Sequence, residues 1–145
     1  MAKLIIANIC GRRIGISSKD IQEVVELMKI HLAPFVLPSI KGTAFWRGAI
    51  LTVVSLSHIL KEYSERNSHL YLRLLPLNNI LLEINKIDDI VEYNELKLDE
   101  KSSESIFKGL YSVEQRFVSV LDINKFSDAI EDEVLTTLRY GGNWR

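Results

Sequence analysis

The residue types best suited to chemistry form no catalytic or metal-binding pattern in this sequence. A serine nucleophile on a strand-to-helix elbow needs Gly-x-Ser-x-Gly, which does not occur. The histidines, His31, His58 and His69, lack the i, i+4 spacing of a metal-binding helix. Gly11 and Gly15 lack the third glycine, or the Lys-Ser/Thr pair, of a phosphate-binding loop. We therefore predict no catalytic residues, no bound metal and no cofactor.

The most informative segment places an arginine between glycines at the start of an apolar run. Gly42 and Gly48 flank the aromatic pair Phe45-Trp46 and Arg47. Glycine permits positive φ angles or the close approach of another backbone. One interpretation is that Arg47 is held at a strand entry to contact a partner, since arginine is enriched at energetically important interface positions. The other is a tight connection whose aromatic side chains pack into the core.

Length and composition indicate one domain, or two small lobes that share a core. The chain has 145 residues, of which 47% are hydrophobic and 26% charged, too aliphatic for a disordered chain. The longest stretch without charged residues, 48–60, is shorter than the roughly 20 residues of a membrane-spanning helix. The N-terminus lacks the cleavage site of a secretory signal. We expect a cytoplasmic protein without membrane insertion, and we expect the single cysteine, Cys10, to be a small core residue.

The two halves of the chain differ in charge. Residues 1–75 contain 10 basic and 5 acidic residues, whereas residues 76–145 contain 8 basic and 14 acidic residues. Neither half has the dense basic run that would contact a phosphate backbone, so nucleic acid is not a predicted partner. The asymmetry is consistent with charged protein partners or with ordinary surface variation.

Short apolar runs bounded by turn residues predict about seven to ten β-strands. Two of these, 70–75 and 80–84, are predicted to pair as antiparallel strands, with 87–91 extending the same sheet beyond a bend at Asn85. The segment 31–40, with its two prolines, and the polar segment 93–105 are predicted loops. The remaining predicted strands are 4–10, 14–16, 49–56, 106–111 and 117–123.

Two segments show a helical pattern. Apolar residues at i, i+3, i+4 and i+7 favour an amphipathic helix over 19–29, but the adjacent Val24 and Val25 favour a strand. A short helical turn is expected over 57–63. The last element is predicted to be a helix that Asn124 caps and Gly141-Gly142 ends. Its core-facing residues would be Phe126, Ile130, Val134 and Leu138.

A set of motifs runs along nearly the whole chain: Gly11 to Gly15-Ile16, Ile21-Gln22-Glu23-Val24, Pro34, Pro38, Ile40-Lys41-Gly42, Arg47-Gly48-Ala49-Ile50, Leu56, Gly109-Leu110-Tyr111 and 117–123. Together these motifs resemble the CheW-like adaptor family of bacterial chemotaxis. The sequence departs from the family at Thr52, Ser55 and Asn85, where the family usually has Pro, Asp and Asp. With these departures, the resemblance is compatible with either swimming chemotaxis or pilus-driven motility.

The resemblance implies a mainly β fold with two small five-stranded β-barrel lobes, a shared core and a C-terminal helix. Residues 1–145 would be a single domain of this family. It also implies that only about one turn near 18–21 is helical and that 22–30 forms a strand, which we prefer to the helix.

The same resemblance implies a non-catalytic adaptor that couples the cytoplasmic tip of a chemoreceptor to a chemotaxis-type histidine kinase. The receptor-contact residues carried over are Ile21, which would offer apolar area, Gly42, which would keep the surface concave, and Arg47, a charged donor. Kinase contacts would use barrel edges and loops. The alternative is a small regulatory β-barrel that binds a ligand or nucleic acid, for which Phe45, Trp46 and Arg47 would begin a groove.

Overall fold

In the part of the chain that the structure describes, two six-stranded β-sheets and one long helix make up the fold. The computed structural model describes residues 2–27, 29–62, 69–77, 79–93, 97–100 and 106–140, with backbone alone at 33–37, 97–100 and 137–140. The first sheet contains, in spatial order, β10 (Lys97–Glu100), β11 (Phe107–Val113), β12 (Arg116–Leu121), β2 (Arg12–Ser17), β1 (Ala2–Ile9) and β9 (Lys86–Tyr93). The second contains β3 (Ile21–Glu26), β7 (Leu70–Leu74), β8 (Ile80–Ile84), β6 (Ala49–Val54), β5 (Ile40–Trp46) and β4 (His31–Leu37).

Helical structure is limited to three segments of the described chain. A 3-10 turn covers Ser18–Asp20, α1 covers Ser57–Leu60, and α2 covers Ile123–Tyr140. Neither α-helix combines the length and apolarity needed to cross a membrane, as far as the described residues extend. The predicted mainly β fold with a terminal helix is confirmed. Each sheet has six strands rather than five, because two segments predicted as loops each add an edge strand.

Strand pairing is antiparallel except at one point in each sheet. β12 runs parallel to β2, and β6 runs parallel to β8, so each sheet joins segments that are distant in the chain. The predicted pairing of β7 with β8 is confirmed, with Leu72 opposite Leu82. The predicted strands 4–10 and 14–16 correspond to β1 and β2, which form an antiparallel hairpin paired from Leu4 and Ser17 to Ile9 and Arg12.

The core has three parts, because successive residues of a buried strand face opposite sides of the sheet. In β6, Val53 faces an interior that belongs to the second sheet, and Val54 faces a core between the two sheets. The first sheet has its own interior, which includes Leu4 and Val118. The core between the sheets combines residues of both sheets with the side chain of Phe126 from α2. It also includes Ala7, Ile9, Ile14, Ile16, Leu72, Leu74, Leu82, Ile84 and Ile130.

The segment with two competing predictions is a strand. The single helical turn ends at Asp20, and β3 follows over Ile21–Glu26, a shorter strand than the predicted 22–30. Val25 is buried in the interior of the second sheet, while Val24 faces solvent. The two valines therefore suit the alternating faces of a strand, which a helix would not have provided.

The prediction of an extended loop over 31–40 is wrong, because β4 forms within it. β4 is an edge strand, and its ladder with β5 is interrupted between Leu32 and Leu37. Pro34 lies in that interruption. Proline has no backbone N–H, but an edge strand has a hydrogen-bonded neighbour on one side only. A proline there is tolerated, because its missing donor interrupts no second strand pair.

Two predictions for the second half of the chain are also wrong. β9 does not extend the β7–β8 pair, because it pairs with β1 in the first sheet. The change of sheet occurs at Asn85, whose N–H donates to the Asn8 carbonyl at 2.8 Å and whose side chain accepts from the Cys10 N–H at 2.9 Å. Part of the predicted loop 93–105 is β10, which pairs with β11, and 94–96 and 101–105 lie outside the described residues.

Asp122, not Asn124, caps helix α2. Its side-chain oxygen accepts from the backbone N–H of Asn124 at 3.1 Å and of Lys125 at 3.2 Å. Phe126 and Ile130 are buried as predicted, while Val134 is only partly buried. The Leu138 side chain and the predicted stop at 141–142 lie outside the described part of the chain.

Candidate partner-binding site

The hairpin that joins β5 to β6 turns at Arg47 and Gly48. Both residues have positive φ angles, +47° and +80°, as the common two-residue hairpin turn requires. Gly48 adopts this geometry without steric cost, whereas a non-glycine residue adopts it less readily. The turn thus fixes Arg47 at the tip of the hairpin, directly before β6 begins, which agrees with the interpretation that placed Arg47 at a strand entry.

Two neighbours orient the Arg47 side chain. Its Nη1 lies 3.6 Å from Oε2 of Glu23 on β3, and its guanidinium carbon lies 5.1 Å from the centre of the Trp46 ring. The Trp46 Nε1–H donates to the other Glu23 oxygen. The Arg47 side chain is nevertheless 72% exposed. An exposed ion pair contributes little stability. The main effect of these contacts is to orient an exposed guanidinium, which can donate several hydrogen bonds to a carboxylate.

Gly42 lies beneath a neighbouring strand and is buried. A Cβ atom at this position would lie 1.9 Å from the His31 carbonyl oxygen of β4. Of the two uses of glycine considered from the sequence, Gly42 therefore serves the close approach of another backbone and Gly48 the positive φ. Gly42 is buried, so it exposes no atoms of its own for a partner. It affects the outer surface only by allowing the β4 backbone to lie close to β5.

Ile21 begins β3, opposite Leu74, and is partly buried against the core between the sheets. It lies two residues before Glu23, the partner of Arg47. Among the described residues, the hydrogen bonds, ion pairs and ring contacts of Arg47 involve Glu23 and Trp46 but neither Ile21 nor Gly42. The structure thus joins Arg47 to the strand of Ile21 and leaves Gly42 in a supporting position.

The aromatic pair divides between core and surface. Trp46 packs against the interior of the second sheet, whereas Phe45 is exposed. The interpretation in which both aromatic side chains pack into the core is therefore wrong for Phe45, and no predicted site residue pointed to Glu23. A signal for Glu23 exists in the sequence, because it lies two residues before Val25 and so shares the face of β3 that is buried at Val25, where a charged side chain needs a partner.

A second polar cluster lies at the other end of β5 and has the character of a structural ion pair. Lys41 Nζ lies 2.6 Å from Glu83 Oε2.

The Glu83 charge also affects two neighbouring groups. Burial raises the pKa of the Cys10 thiol and of the Tyr71 hydroxyl, and the Glu83 charge raises the pKa of both further. Cys10, expected in the core, is half-buried at the first hairpin turn and packs against the core between the sheets. No group of three or more potential metal ligands occurs within the described ranges.

Comparison with known proteins identifies the fold. A family model described as a CheW-like domain matches residues 3–131. The chain is also similar to the crystal structure of the scaffolding protein TtCheW from Thermoanaerobacter tengcongensis, with a TM-score of 0.73 and 15% sequence identity over 84% of each chain. No curated protein matches the sequence.

Proposed function

The chain belongs to the family of CheW-like domains, and on that premise we propose that it is a non-catalytic adaptor in bacterial chemotaxis signalling. In this proposal it couples the cytoplasmic tip of a chemoreceptor to a chemotaxis-type histidine kinase. The similar protein TtCheW is described as a scaffolding protein, which agrees with such a role.

The observation that carries the proposal is the outward-facing guanidinium of Arg47. It lies at the position that the family resemblance assigns to receptor contact, and Glu23 and Trp46 hold it while most of its side chain stays exposed. Arginine anchors of this kind frequently dominate an interface. Ile21 would add apolar contact area from β3, and Gly42 would set the path of β4 beside the site.

The proposal treats residues 1–145 as a single functional domain. Its support is the core between the sheets, which draws on β1 and β2 of the first sheet, on β6, β7 and β8 of the second, and on α2. A kinase domain would then meet the strand edges and loops, and the receptor tip would meet the surface around Arg47. Both partners, and a cytoplasmic location, are parts of the same proposal.

Co-purification tests the proposal directly. The purified chain is presented in parallel to a receptor-tip fragment, to the regulatory domain of a chemotaxis-type kinase, and to single-stranded nucleic acid. We expect retention by the receptor tip and the kinase domain and none by nucleic acid. Retention by nucleic acid alone would instead favour a regulatory β-barrel that binds a ligand or nucleic acid.

A further inference from the structure

Arg73 of β7 lies on the interior face of the second sheet and has no charged partner there. Tyr71, two residues earlier on the same strand, is buried in that interior, so strand alternation places Arg73 on the same face. None of the ion pairs between described residues includes Arg73. Its Nε is buried and has no hydrogen-bond acceptor in the described part of the chain. A buried donor left unsatisfied costs free energy, which a nearby acceptor would recover.

In the strand register, the acid beside Arg73 is Glu23. The two residues are directly opposite on β3 and β7, and opposite residues of paired strands have Cβ atoms about 4.5–5.5 Å apart. Leu81, opposite Arg73 on its other side, is apolar. Glu83, two residues after Leu81, already has Lys41 at 2.6 Å. Glu23 is therefore the acceptor that the fold places beside Arg73.

The Glu23 carboxylate instead contacts the β5–β6 hairpin. One oxygen accepts from the Trp46 Nε1–H, and the other lies 3.6 Å from Nη1 of Arg47. The Glu23 side chain is only 21% exposed, so its charge depends on protein partners more than on water. Two arginines on different elements thus flank one mostly buried carboxylate, and Arg47 holds it.

A partner acid that binds Arg47 would meet the charge of Glu23. A second carboxylate on the Arg47 guanidinium lies close to the Glu23 carboxylate, and like charges at such short range repel each other. Rotation of the Glu23 side chain toward Arg73 would relieve this repulsion and would give the buried Nε an acceptor. The same movement leaves the donors of Arg47 to the partner.

We propose that Arg73 is the second binding partner of Glu23, and that Glu23 moves to Arg73 when an Asp or Glu of the receptor tip pairs with Arg47. The inference rests on the proposed function, because it concerns how the Arg47 site receives its partner. Arg73 acts through Glu23 and is a positioning residue without its own contact to the receptor tip.

A stability measurement tests the exchange in the absence of any partner. Arg47→Ala removes the first partner of Glu23, so that Glu23 then depends on Arg73. We expect Arg73→Gln to lower the melting temperature by about 3 °C in the Arg47→Ala background, and to change it by no more than about 1 °C in the original chain. Equal shifts in the two backgrounds would overturn the proposal, because Arg73 would then act independently of Arg47.

Binding to a receptor-tip fragment, measured by titration calorimetry, tests the role in recognition. Arg73→Gln should weaken binding by about fivefold or more in the original chain, but by less than about twofold in the Glu23→Gln background, which has no charge to relocate. Arg73→Lys keeps the positive charge and should retain most of the affinity.

Arg13 supplies a matched control for this binding measurement. It is the other described arginine with a buried, unpartnered Nε, but its guanidinium already lies 3.8 Å from Asp88 in the first sheet. Arg13→Gln should therefore bind the receptor tip within about twofold of the original chain. A loss as large as that of Arg73→Gln would overturn the proposal.

The outcomes separate the inference from the proposed function. If the original chain binds the receptor tip and Arg73→Gln binds equally well, the exchange is wrong and the adaptor function stands. Equal weakening in the original and Glu23→Gln backgrounds would also overturn the exchange, since Arg73 would then contact the partner itself. If the original chain does not bind the receptor tip, the adaptor function and the exchange on binding both fail.

Discussion

Each sheet exposes a phenylalanine, an isoleucine and an arginine, but the two sheets arrange these residues differently. In the second sheet an exposed phenylalanine, isoleucine and arginine share one hairpin, and ion-pair and ring contacts hold the arginine. In the first sheet Phe117 and Ile90 are separated by two strands. The two sheets therefore differ in how neighbouring residues hold an exposed arginine, and this difference distinguishes the proposed binding site from exposure alone.

The two sheets also differ in what lies close to a glycine within a strand. A Cβ atom at Gly15 of the first sheet would meet the side chains of Leu4 at 2.8 Å and Val118 at 2.9 Å. At Gly42 of the second sheet it would meet the backbone carbonyl of His31. Side chains adjust by changing rotamer, whereas a paired backbone does not, so the second sheet has the less adaptable structure around its surface.

The largest expected effect is therefore that of Gly42→Ala. Because β4 would have to move away from β5, we expect the free energy of unfolding to fall by about 3 kcal/mol. Gly15→Ala, which displaces only side chains, should lower it by about 1 kcal/mol. Denaturant titrations of both variants measure the difference, and a larger loss for Gly15→Ala would reverse the comparison.

The second prediction concerns the attachment of α2 to the second sheet. The Glu133 carboxylate of α2 accepts two hydrogen bonds from the buried Ser39. One comes from the Ser39 backbone N–H at 2.5 Å and the other from the Ser39 hydroxyl at 2.7 Å. Glu133→Ala would leave both donors without this partner, and we expect the free energy of unfolding to fall by about 2 kcal/mol. Asp132→Ala, at an exposed neighbouring position, is the control and should leave it nearly unchanged.

The third prediction concerns the attachment of α2 to the first sheet, where Asp122 follows β12 directly. Asp122→Ala removes the acceptor of two helix N–H groups and should lower the free energy of unfolding by about 1 kcal/mol. Asn124→Ala should have little effect, because Asn124 is a donor to the cap and not the cap itself. Thermal melts of the two variants decide between them, and equal losses would contradict this assignment.

Local sequence signals predicted most of the paired strands. β7 and β8 are short apolar runs on either side of a turn, and their pairing needs no distant information. β9 could not be placed in this way, because the hydrogen bonds of Asn85 to Asn8 and Cys10 direct it to a strand from the other end of the chain. β4 and β10 were missed for a related reason, since prolines or polar residues are acceptable at sheet edges.

The candidate site shows the same division between local and distant information. The position of Arg47 at a strand entry followed from its flanking glycines, which is a local feature. Its partner Glu23 did not, because the contact joins β3 to the tip of the β5–β6 hairpin across a long stretch of chain. The exposure of Phe45 also depends on which face of the second sheet is covered, and composition does not reveal this.

The most direct test of the central claim compares Arg47→Glu with Arg116→Glu, which reverses the charge of an exposed arginine on the first sheet. Dissociation constants for a receptor-tip fragment and melting temperatures are measured on the same samples. We predict that Arg47→Glu weakens binding by about 2 kcal/mol or more, and more than Arg47→Ala. Its melting temperature should fall only slightly through the lost ion pair and the repulsion by Glu23, because this pair is largely exposed on the Arg47 side. Arg116→Glu should bind like the original chain. Unchanged binding by Arg47→Glu would contradict the account, and loss of binding together with melting temperature would make Arg47 a structural residue rather than a contact.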